Sequence, residues 1–161
     1  MIPPFLEIKK SNNGKGLFSK QLIKKDSIIF HFEGKLGTDA ETNDESLQID
    51  EDLFLESTTN CDDFLNHSCD PNCYIDFNTL NLVALKEIRP GEELCFDYNT
   101  TEYDLVNLIR PCPFKCGCGS NHCLGEIKGS CYLSIEQKKK IKKYLAPYLK
   151  KKLEQELKSL N

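Results

Sequence analysis

Short apolar runs separated by polar turns make up most of the chain as far as Tyr98. Each run is too short for a helix and is followed by glycine, asparagine or lysine–aspartate turns, which predicts β-strands joined by tight turns. The predicted strands are Phe5–Ile8, Gly16–Phe18, Ser27–Phe32, Leu47–Ile49, Tyr74–Phe77, Leu82–Leu85 and Glu93–Phe96. The body of the chain is therefore predicted to be mostly β.

The apolar pattern changes near the C-terminus. Ser134 followed by Gln137 predicts a capping box, in which each side chain accepts a hydrogen bond from the other residue's backbone N–H. Residues with high helix propensity follow. Pro147 divides them into one helix before it and a second over about 148–159, because proline breaks the interior of a helix. This segment is predicted to be a lysine-rich helical tail.

Charge is divided unevenly along the chain. From Ser134 onward nine lysines and three glutamates give a net charge of +6, so the −4 of the whole chain leaves −10 for residues 1–133. An acidic body attracts a cationic protein segment, whereas a basic tail attracts nucleic acid or an acidic partner. A role in solubility alone explains the negative charge of the body and the positive charge of the tail equally well.

Nine cysteines are unusual in 161 residues, and an odd number cannot all pair as disulfides. No apolar run approaches the roughly 20 residues that cross a bilayer, and the N-terminus lacks the basic region of a signal peptide. These features predict an intracellular protein, cytoplasmic or, in a eukaryote, nuclear or chromatin-associated. In a reducing compartment clustered cysteines indicate metal ligands before disulfides. The clustered cysteines are Cys112, Cys116, Cys118 and Cys123.

Three segments in a fixed order carry a family signature. They are Gly14–Ser19 (GKGLFS), Phe64–Cys73 (FLNHSCDPNC) and Pro90–Asn99 (PGEELCFDYN). In this order they resemble the SET-domain protein methyltransferases, and Cys116–Gly125 resembles that family's post-SET zinc segment. The resemblance implies a SET-domain fold, with small curved sheets, pseudoknot-like threading and a C-terminal zinc knuckle. It divides the chain into a SET domain at 1–110, a post-SET zinc-binding segment at 111–130 and a basic helical tail at 131–161.

The resemblance implies S-adenosylmethionine (SAM) as the methyl donor. Gly14 and Gly16 let the backbone turn sharply and approach a ligand that a Cβ atom would exclude. An ordinary hairpin needs the same glycines, but in the family this turn lies against SAM. Asn66 and His67 are polar residues in an apolar segment and need buried partners, which SAM supplies in the family. The implied cofactor-binding residues are Lys15, Gly16, Leu17, Asn66 and His67.

Tyr98 is the expected catalytic residue. Methyl transfer needs a neutral lysine amine, whereas free lysine has a pKa of about 10.4, which a low-dielectric channel and a neighbouring positive charge lower. In the family the tyrosine of Phe-Asp-Tyr orients this amine. By the same resemblance, Phe96 leaves room for a second or third methyl group, which favours di- or trimethylation. Phe32 stands where the family often has tyrosine, so it keeps an aromatic channel wall but lacks the hydroxyl.

The cysteine cluster predicts a zinc site. Cys116, Cys118 and Cys123 form Cys-x-Cys-x4-Cys, which leaves a tetrahedral zinc ion one ligand short. Sequence spacing leaves Cys112 and His122 open as the fourth ligand. The family takes it from the Asn-His-Ser-Cys motif, so the resemblance implies Cys69. A closed site with four ligands is structural, because no position remains for an activated water.

The resemblance implies a protein-lysine N-methyltransferase that acts on a basic protein, with a histone tail as a candidate. The acidic body agrees with such a substrate, which SET enzymes often bind as an added β-strand. Two departures from the family are Phe32 and Asp63, which replaces a frequent arginine or histidine. Phe32 suggests the alternative of a non-catalytic SET-like module that binds cofactor or peptide. A further alternative is a zinc-dependent nucleic-acid binder that uses its lysine tail. That tail is otherwise an interaction helix or a solvated cap packed through Tyr144, Leu145, Tyr148 and Leu149.

Overall fold

The structure, a computed structural model, describes residues 2–12, 14–38, 45–58, 60–109 and 111–160. The described residues form mainly short strands, as predicted. The strands are β1 (Leu6–Ser11), β2 (Gly14–Ser19), β3 (Ile28–His31), β4 (Leu36–Gly37), β5 (Leu47–Asp50), β6 (Leu53–Leu55), β7 (Asn66–His67), β8 (Cys73–Asp76), β9 (Asn81–Ala84), β10 (Cys95–Phe96), β11 (Phe114–Lys115) and β12 (Glu126–Ile127). The α-helices are α1 (Ile135–Ile141) and α2 (Pro147–Ser159), and short 3₁₀ helices lie at Cys61–Phe64, Tyr98–Thr100, Ser130–Tyr132 and Lys142–Tyr144.

The chain folds into two compact units, each assembled from segments that are distant in sequence. The first unit comprises Met1–Glu33, Ser57–Asp97 and Cys116–Gly125. The second unit comprises Gly34–Glu56, Tyr98–Lys115 and Glu126–Asn161. In the part of the chain that the structure describes, no helix is both long enough and apolar enough to cross a bilayer.

The first unit contains a hairpin, a three-stranded sheet and a parallel strand pair. In the hairpin, β1 runs antiparallel to β2 with Ile8 opposite Leu17. The sheet has the antiparallel order β3-β9-β8. In the parallel pair of β7 and β10, His67 lies opposite Phe96, so the Asn-His motif is directly beside the Phe-Asp-Tyr motif. The buried core of this unit includes Leu17, Ile75, Leu82, Ile88 and Leu94.

The second unit combines a three-stranded antiparallel sheet, in the order β4-β6-β5, with the strand pair β11-β12 and both α-helices. The predicted capping box is confirmed: the Gln137 N–H donates to Ser134 Oγ at 3.2 Å, and the Ser134 N–H donates to Gln137 Oε1 at 2.8 Å. Pro147 is the first residue of α2, so the predicted division of the tail into two helices is also confirmed.

The lysine-rich tail packs within the second unit through its apolar face. Its buried residues include Leu145, Ala146, Tyr148, Leu149 and Leu153. The Ala146 N–H donates to the carbonyl of Thr100 at 2.7 Å, and the Tyr148 hydroxyl donates to the carbonyl of Thr101. The tail therefore packs through three of the four residues predicted for this face and holds the backbone just after Tyr98, whereas Tyr144 is only half-buried.

Candidate functional site

The turn between β1 and β2 leads into two glycines at the start of β2, and each position requires glycine for a different reason. Gly14 has a φ angle of 100°, a left-handed conformation that other residues rarely adopt. A Cβ atom on Gly16 would overlap Oε1 of Glu93 and would lie 3.0 Å from Nδ2 of Asn66. The turn is therefore a place of close approach, and the groups that approach it come from the other two signature segments.

The Asn66 side chain joins this turn to Glu93. Its Nδ2 donates to the carbonyl oxygen of Lys15 at 3.0 Å and to Oε1 of Glu93 at 2.6 Å. Ser11 Oγ donates to the other carboxylate oxygen, Oε2, at 2.8 Å. The structure thus brings together three of the predicted cofactor residues, which are Lys15, Gly16 and Asn66. Leu17 is fully buried beside them in the chain, and its carbonyl accepts the N–H of Leu94 at 2.7 Å.

Glu93 is the residue of this site that the sequence analysis missed. It lies in the third signature segment, one position before the buried Leu94, and is itself half-buried. An antiparallel bridge between Phe18 and Glu93 carries it to the end of the hairpin. This bridge depends on tertiary structure and cannot be read from the sequence. The only sequence signal for Glu93 was an acidic residue at the start of an apolar segment.

His67 connects the predicted cofactor segment to the cysteine cluster. The residue is only 3% exposed, and burial lowers its pKa to about 4, so the imidazole is neutral at physiological pH. Nδ1 lies 3.6 Å from Oδ1 of Asp97, and Nε2 lies 3.2 Å from Sγ of Cys69. His67 therefore lies between the Phe-Asp-Tyr segment and one of the predicted zinc ligands.

The aromatic residues predicted to line a lysine channel are distributed between the two units. In the first unit, Phe32 and Phe96 are 4% and 6% exposed. The Phe32 ring packs edge-on against Phe30 with a centroid distance of 5.2 Å. Phe96 lies in β10 opposite His67. The burial of both phenylalanines agrees with channel walls and with ordinary core packing.

Tyr98 begins the 3₁₀ helix Tyr98–Thr100 in the second unit. Its carbonyl accepts the backbone N–H groups of Thr101 at 3.0 Å and Glu102 at 2.8 Å. Its ring packs edge-on against Phe114, with centroids 5.7 Å apart. These contacts fix both the backbone and the ring of Tyr98 within its unit. The meeting of Tyr98 with the two phenylalanines in one channel stays a prediction.

Four cysteine sulfurs converge in the first unit. They belong to Cys69, Cys116, Cys118 and Cys123, and all lie within 4.8 Å of one another. The sulfurs of Cys69 and Cys116 are 3.9 Å apart. Sulfurs at the corners of a tetrahedron, each about 2.3 Å from a zinc ion, are roughly 3.8 Å apart. The donor set and its spacing are therefore compatible with a structural zinc ion.

Backbone N–H groups surround these sulfurs. The Leu124 N–H donates to Sγ of Cys69 at 3.5 Å, and the Gly125 N–H donates to Sγ of Cys123 at 3.4 Å. Burial raises the pKa of the Cys118 thiol, but hydrogen bonds from backbone N–H groups, first that of Cys69, outweigh burial and lower this pKa to about 7. Burial instead raises the pKa of the Cys69 thiol well above its usual value and that of the Cys116 thiol to about 11, so only Cys118 has a thiolate favoured by its surroundings, and it is the convergence of the sulfurs that indicates a metal site.

The two residues left open as a fourth ligand lie outside the cluster. Cys112 belongs to the second unit, where its N–H donates to the carbonyl of Leu105 at 2.9 Å. The His122 N–H donates to Ser120 Oγ at 3.1 Å. Within the described residues, neither Cys112 nor His122 belongs to the converging set. The geometry thus favours Cys69, the residue that the resemblance implied.

Named relatives are methyltransferases. A histone-lysine N-methyltransferase of Aspergillus fumigatus, H3 lysine-36 specific, is 30% identical over 143 residues, which cover 76% of this chain and 14% of that protein. The methyltransferase flvH of Aspergillus flavus is 44% identical over 70 residues, which cover 42% of this chain and 36% of that protein. The chain therefore spans only a minor part of the length of these relatives.

Solved structures and a family model agree with the sequence signature. A crystal structure of KRYPTONITE in complex with mCHG DNA and SAH has a TM-score of 0.63 and 25% identity, covering 75% of this chain and 28% of that one. A second, with mCHH DNA, an H3(1–15) peptide and SAH, has a TM-score of 0.62 and 24% identity. The SET-domain family model matches residues 14–99, which include all three signature segments. The predicted fold is confirmed, and the chain belongs to the SET-domain family.

Proposed function

We propose that this chain is a protein-lysine N-methyltransferase that transfers methyl groups from SAM to a lysine of a basic protein, with a histone tail as the candidate substrate. The observation that carries the proposal is the contact between Asn66 and the Gly14–Leu17 turn in a SET-domain chain. Relatives named histone-lysine N-methyltransferases and the SAH in a KRYPTONITE structure support it. The −10 charge of residues 1–133 favours a basic substrate.

The proposed cofactor site uses backbone and amide groups of the first unit. Lys15 offers its carbonyl, Gly16 leaves bare backbone, and the Asn66 amide, whose Nδ2 donates to Lys15, also carries an oxygen that can accept a hydrogen bond. His67 and Leu17 complete the proposed set. When bound, SAM supplies an electrophilic methyl group on a sulfonium. The residues of the site fit a small ligand that carries both hydrogen-bond donors and acceptors.

Tyr98, Phe96 and Phe32 are proposed to surround the substrate lysine. Aromatic walls exclude water and so lower the pKa of the amine from its usual value of about 10.4 towards neutrality. The Tyr98 hydroxyl is proposed to hold the neutral amine in line for transfer, a contribution of positioning rather than of proton transfer. The second unit fixes this tyrosine through its carbonyl and through Phe114.

The four cysteines Cys69, Cys116, Cys118 and Cys123 are proposed to hold one structural zinc ion, because four thiolates leave no open position. The division into a SET domain at 1–110, a post-SET segment at 111–130 and a basic tail at 131–161 stays a proposal. Relatives that modify histones support an intracellular location, nuclear in a eukaryote.

Incubation of the zinc-loaded protein with radiolabelled SAM, purified histones and total lysate protein tests the function. We expect label on a basic protein. The missing hydroxyl at Phe32 favours a second candidate, a module that binds SAM or peptide without turnover. That candidate predicts SAM binding by calorimetry and no label on any protein. Binding of DNA without binding of SAM would instead support a nucleic-acid binder that uses the lysine tail.

Asn66→Ala is expected to weaken SAM binding about tenfold, the effect of losing a hydrogen-bonding amide. Titration calorimetry measures the affinity, and thermal unfolding checks that the variant folds. Asn78→Ala, at an exposed turn, is the matched control and should bind SAM like the wild type. Equal affinity of the Asn66 variant and the wild type would contradict the proposed site.

Phe96→Tyr is expected to shift the product towards monomethyl-lysine, because the added hydroxyl occupies space that a second methyl group needs. Mass spectrometry of a methylated lysine peptide gives the distribution directly. Phe77→Tyr, just after β8, adds the same hydroxyl outside the proposed channel and should leave the distribution unchanged. An unchanged distribution in the Phe96 variant would show that this ring only packs the core.

A further inference from the structure

The helical tail carries more lysines than the acids around it neutralise. Four of the nine lysines after Ser134 form ion pairs, with nitrogen–oxygen distances of 2.7 to 3.9 Å. The pairs are Lys138 with Glu156, Lys139 with Glu136, Lys142 with Glu154 and Lys152 with Glu51. They engage all three glutamates of the tail. Within the described residues the other five lysines form no ion pair, and they are Lys140, Lys143, Lys150, Lys151 and Lys158.

Most of these five lysines reach solvent. In α2 the residues Tyr148, Leu149 and Leu153 are buried, so the opposite side of the helix faces solvent. Lys151 and Lys158 are exposed and seven residues apart, which places them two turns apart on one side of the helix. The exposed members of the five form the lysine surface, which comprises Lys140, Lys143, Lys151 and Lys158. Their charge is therefore accessible to a partner.

Protein and lipid fit the lysine surface poorly. Protein–protein interfaces are depleted of lysine and depend on buried aromatic or arginine anchors. The tail contains no arginine, and among its described residues the only exposed large apolar side chain is that of Leu160. A helix that lies on a membrane inserts its apolar face into the lipid, but the apolar face of α2 is already buried in the protein. The lysine surface thus offers a partner charge and little else.

Duplex nucleic acid is the partner for which charge alone suffices. Non-specific binding of DNA comes from the neutralisation of phosphates, with lysine acting as a point charge. Single strands are instead bound by stacking their bases on aromatic rings, whereas Tyr148 is buried and Tyr144 is half-buried. Residues 1–133 carry a net charge of −10, so the tail is the part of the chain that attracts phosphate.

We propose that the lysine surface binds the phosphate backbone of double-stranded DNA without reading its sequence. This interface goes beyond the proposed methyl transfer, whose residues all precede the tail. The choice of DNA over double-stranded RNA rests on the proposed function, because the candidate histone substrate lies beside wrapped DNA. The contact holds the enzyme close to such a substrate and takes no part in the chemistry.

Fluorescence anisotropy of a short labelled DNA duplex of random sequence tests the interface on the full zinc-loaded chain, without SAM or histone. We expect a dissociation constant of about 1 to 100 μM at physiological salt, the usual range of non-specific binding. Each phosphate contact contributes about −0.9 to the slope of log affinity against log salt concentration, so four lysines give about −3.6. The affinity should therefore fall about 100-fold between about 50 and 200 mM salt.

Two triple variants with the same change in charge locate the interface. The tail variant combines Lys143→Gln, Lys151→Gln and Lys158→Gln. Its slope should fall to about −0.9, since one of four contacts remains. The matched control replaces three exposed lysines outside the tail and combines Lys20→Gln, Lys24→Gln and Lys25→Gln. It should keep a slope of about −3.6. Should the tail variant fail to fold, Lys151→Gln alone should still reduce the slope by about 0.9.

A tail variant with the slope and affinity of the wild type would overturn the proposal, and so would equal weakening by both triple variants. A wild type that binds no DNA even at about 50 mM salt would assign the charge to solubility. Tighter binding of polyglutamate, of anionic vesicles or of double-stranded RNA would assign the surface to another partner. None of these results bears on methyl transfer. A chain that binds DNA but neither binds SAM nor labels any protein would overturn the proposed function alone.

Discussion

Cys69→Ser is expected to release zinc and to abolish most methyl transfer together. A serine hydroxyl does not ionise at neutral pH, so the proposed site loses one of four thiolates. Apparent binding energies of structural zinc sites correspond to roughly 3 kcal/mol per ligand, or about 100-fold in affinity. Cys69 is also the only ligand outside the 116–123 segment, and its sulfur lies 3.2 Å from Nε2 of His67. Loss of the metal therefore disturbs the proposed cofactor segment as well.

Metal content, measured by mass spectrometry of the purified protein, should fall from one zinc per chain to well below one. SAM affinity and thermal stability should fall with it, which gives readouts that do not depend on turnover. Cys112→Ser is the matched control and should keep zinc and activity, because Cys112 lies outside the cluster. If Cys112→Ser loses zinc and Cys69→Ser keeps it, the cluster is a local knuckle and the proposed link to the cofactor segment is wrong.

The chemistry of the site was easier to predict than its contacts. Each motif indicates a physical requirement: a sharp turn or close approach for Gly14 and Gly16, polar partners for the Asn-His pair, and a metal ion for the clustered cysteines. The order of the segments identified the family before any geometry was known. Spacing alone left Cys112 and His122 as possible zinc ligands, because zinc accepts a thiolate or an imidazole nitrogen, whether it is near or distant in the sequence. Only the folded chain brings Cys69 to the other three sulfurs.

Strand pairing limited what the sequence revealed about Glu93. The predicted strand Glu93–Phe96 is reduced to Cys95–Phe96 in the structure. Its first two residues instead meet β2, through the bridge to Phe18 and the hydrogen bond from Leu94 to Leu17. Strands of two residues, such as β7 and β10, show no periodicity, and their existence depends on a partner far away in the chain. A contact created in this way cannot be predicted from local pattern.

The net charge of the tail did not reveal how its residues pack and pair in the folded protein. Its run of lysines indicated nucleic acid as readily as solubility, and its apolar face needed a partner that the sequence did not specify. In the structure Lys138 is buried and its Nζ lies 2.7 Å from Glu156, while Lys152 lies 2.8 Å from Glu51. Part of the apparent basic surface is thus neutralised within the second unit. The chain just after Tyr98 depends on this tail for two of its hydrogen bonds.

Glu102 is expected to make the protein less stable as pH rises from about 5 to 7. This carboxyl is buried in the second unit, where its Oε1 accepts hydrogen bonds from the Gln48 N–H and Thr101 Oγ1. Burial raises its pKa from 4.5 to about 7, although these hydrogen bonds act in the opposite direction. The unfolded chain therefore releases this proton at a lower pH than the folded chain does. The slope approaches about 1.4 kcal/mol per pH unit between the two pKa values, so the free energy of unfolding falls by about 2 kcal/mol over this interval.

Glu102→Gln keeps the size and the accepting oxygen but cannot ionise, so it should remove this loss. We expect the variant to match the wild type near pH 4.5 and to exceed its free energy of unfolding by about 3 kcal/mol at pH 8. Denaturant unfolding at several pH values, followed by circular dichroism, measures the difference between the two proteins. The two proteins must be compared with each other at each pH, because His67, whose pKa is lowered to about 4, makes the free energy of unfolding of both proteins rise with pH. This contribution cancels in the difference between them. Glu154→Gln, an exposed control, should show no such pH-dependent gain. A constant difference between Glu102→Gln and the wild type from pH 4.5 to 8 would show that Glu102 is already ionised in the folded protein.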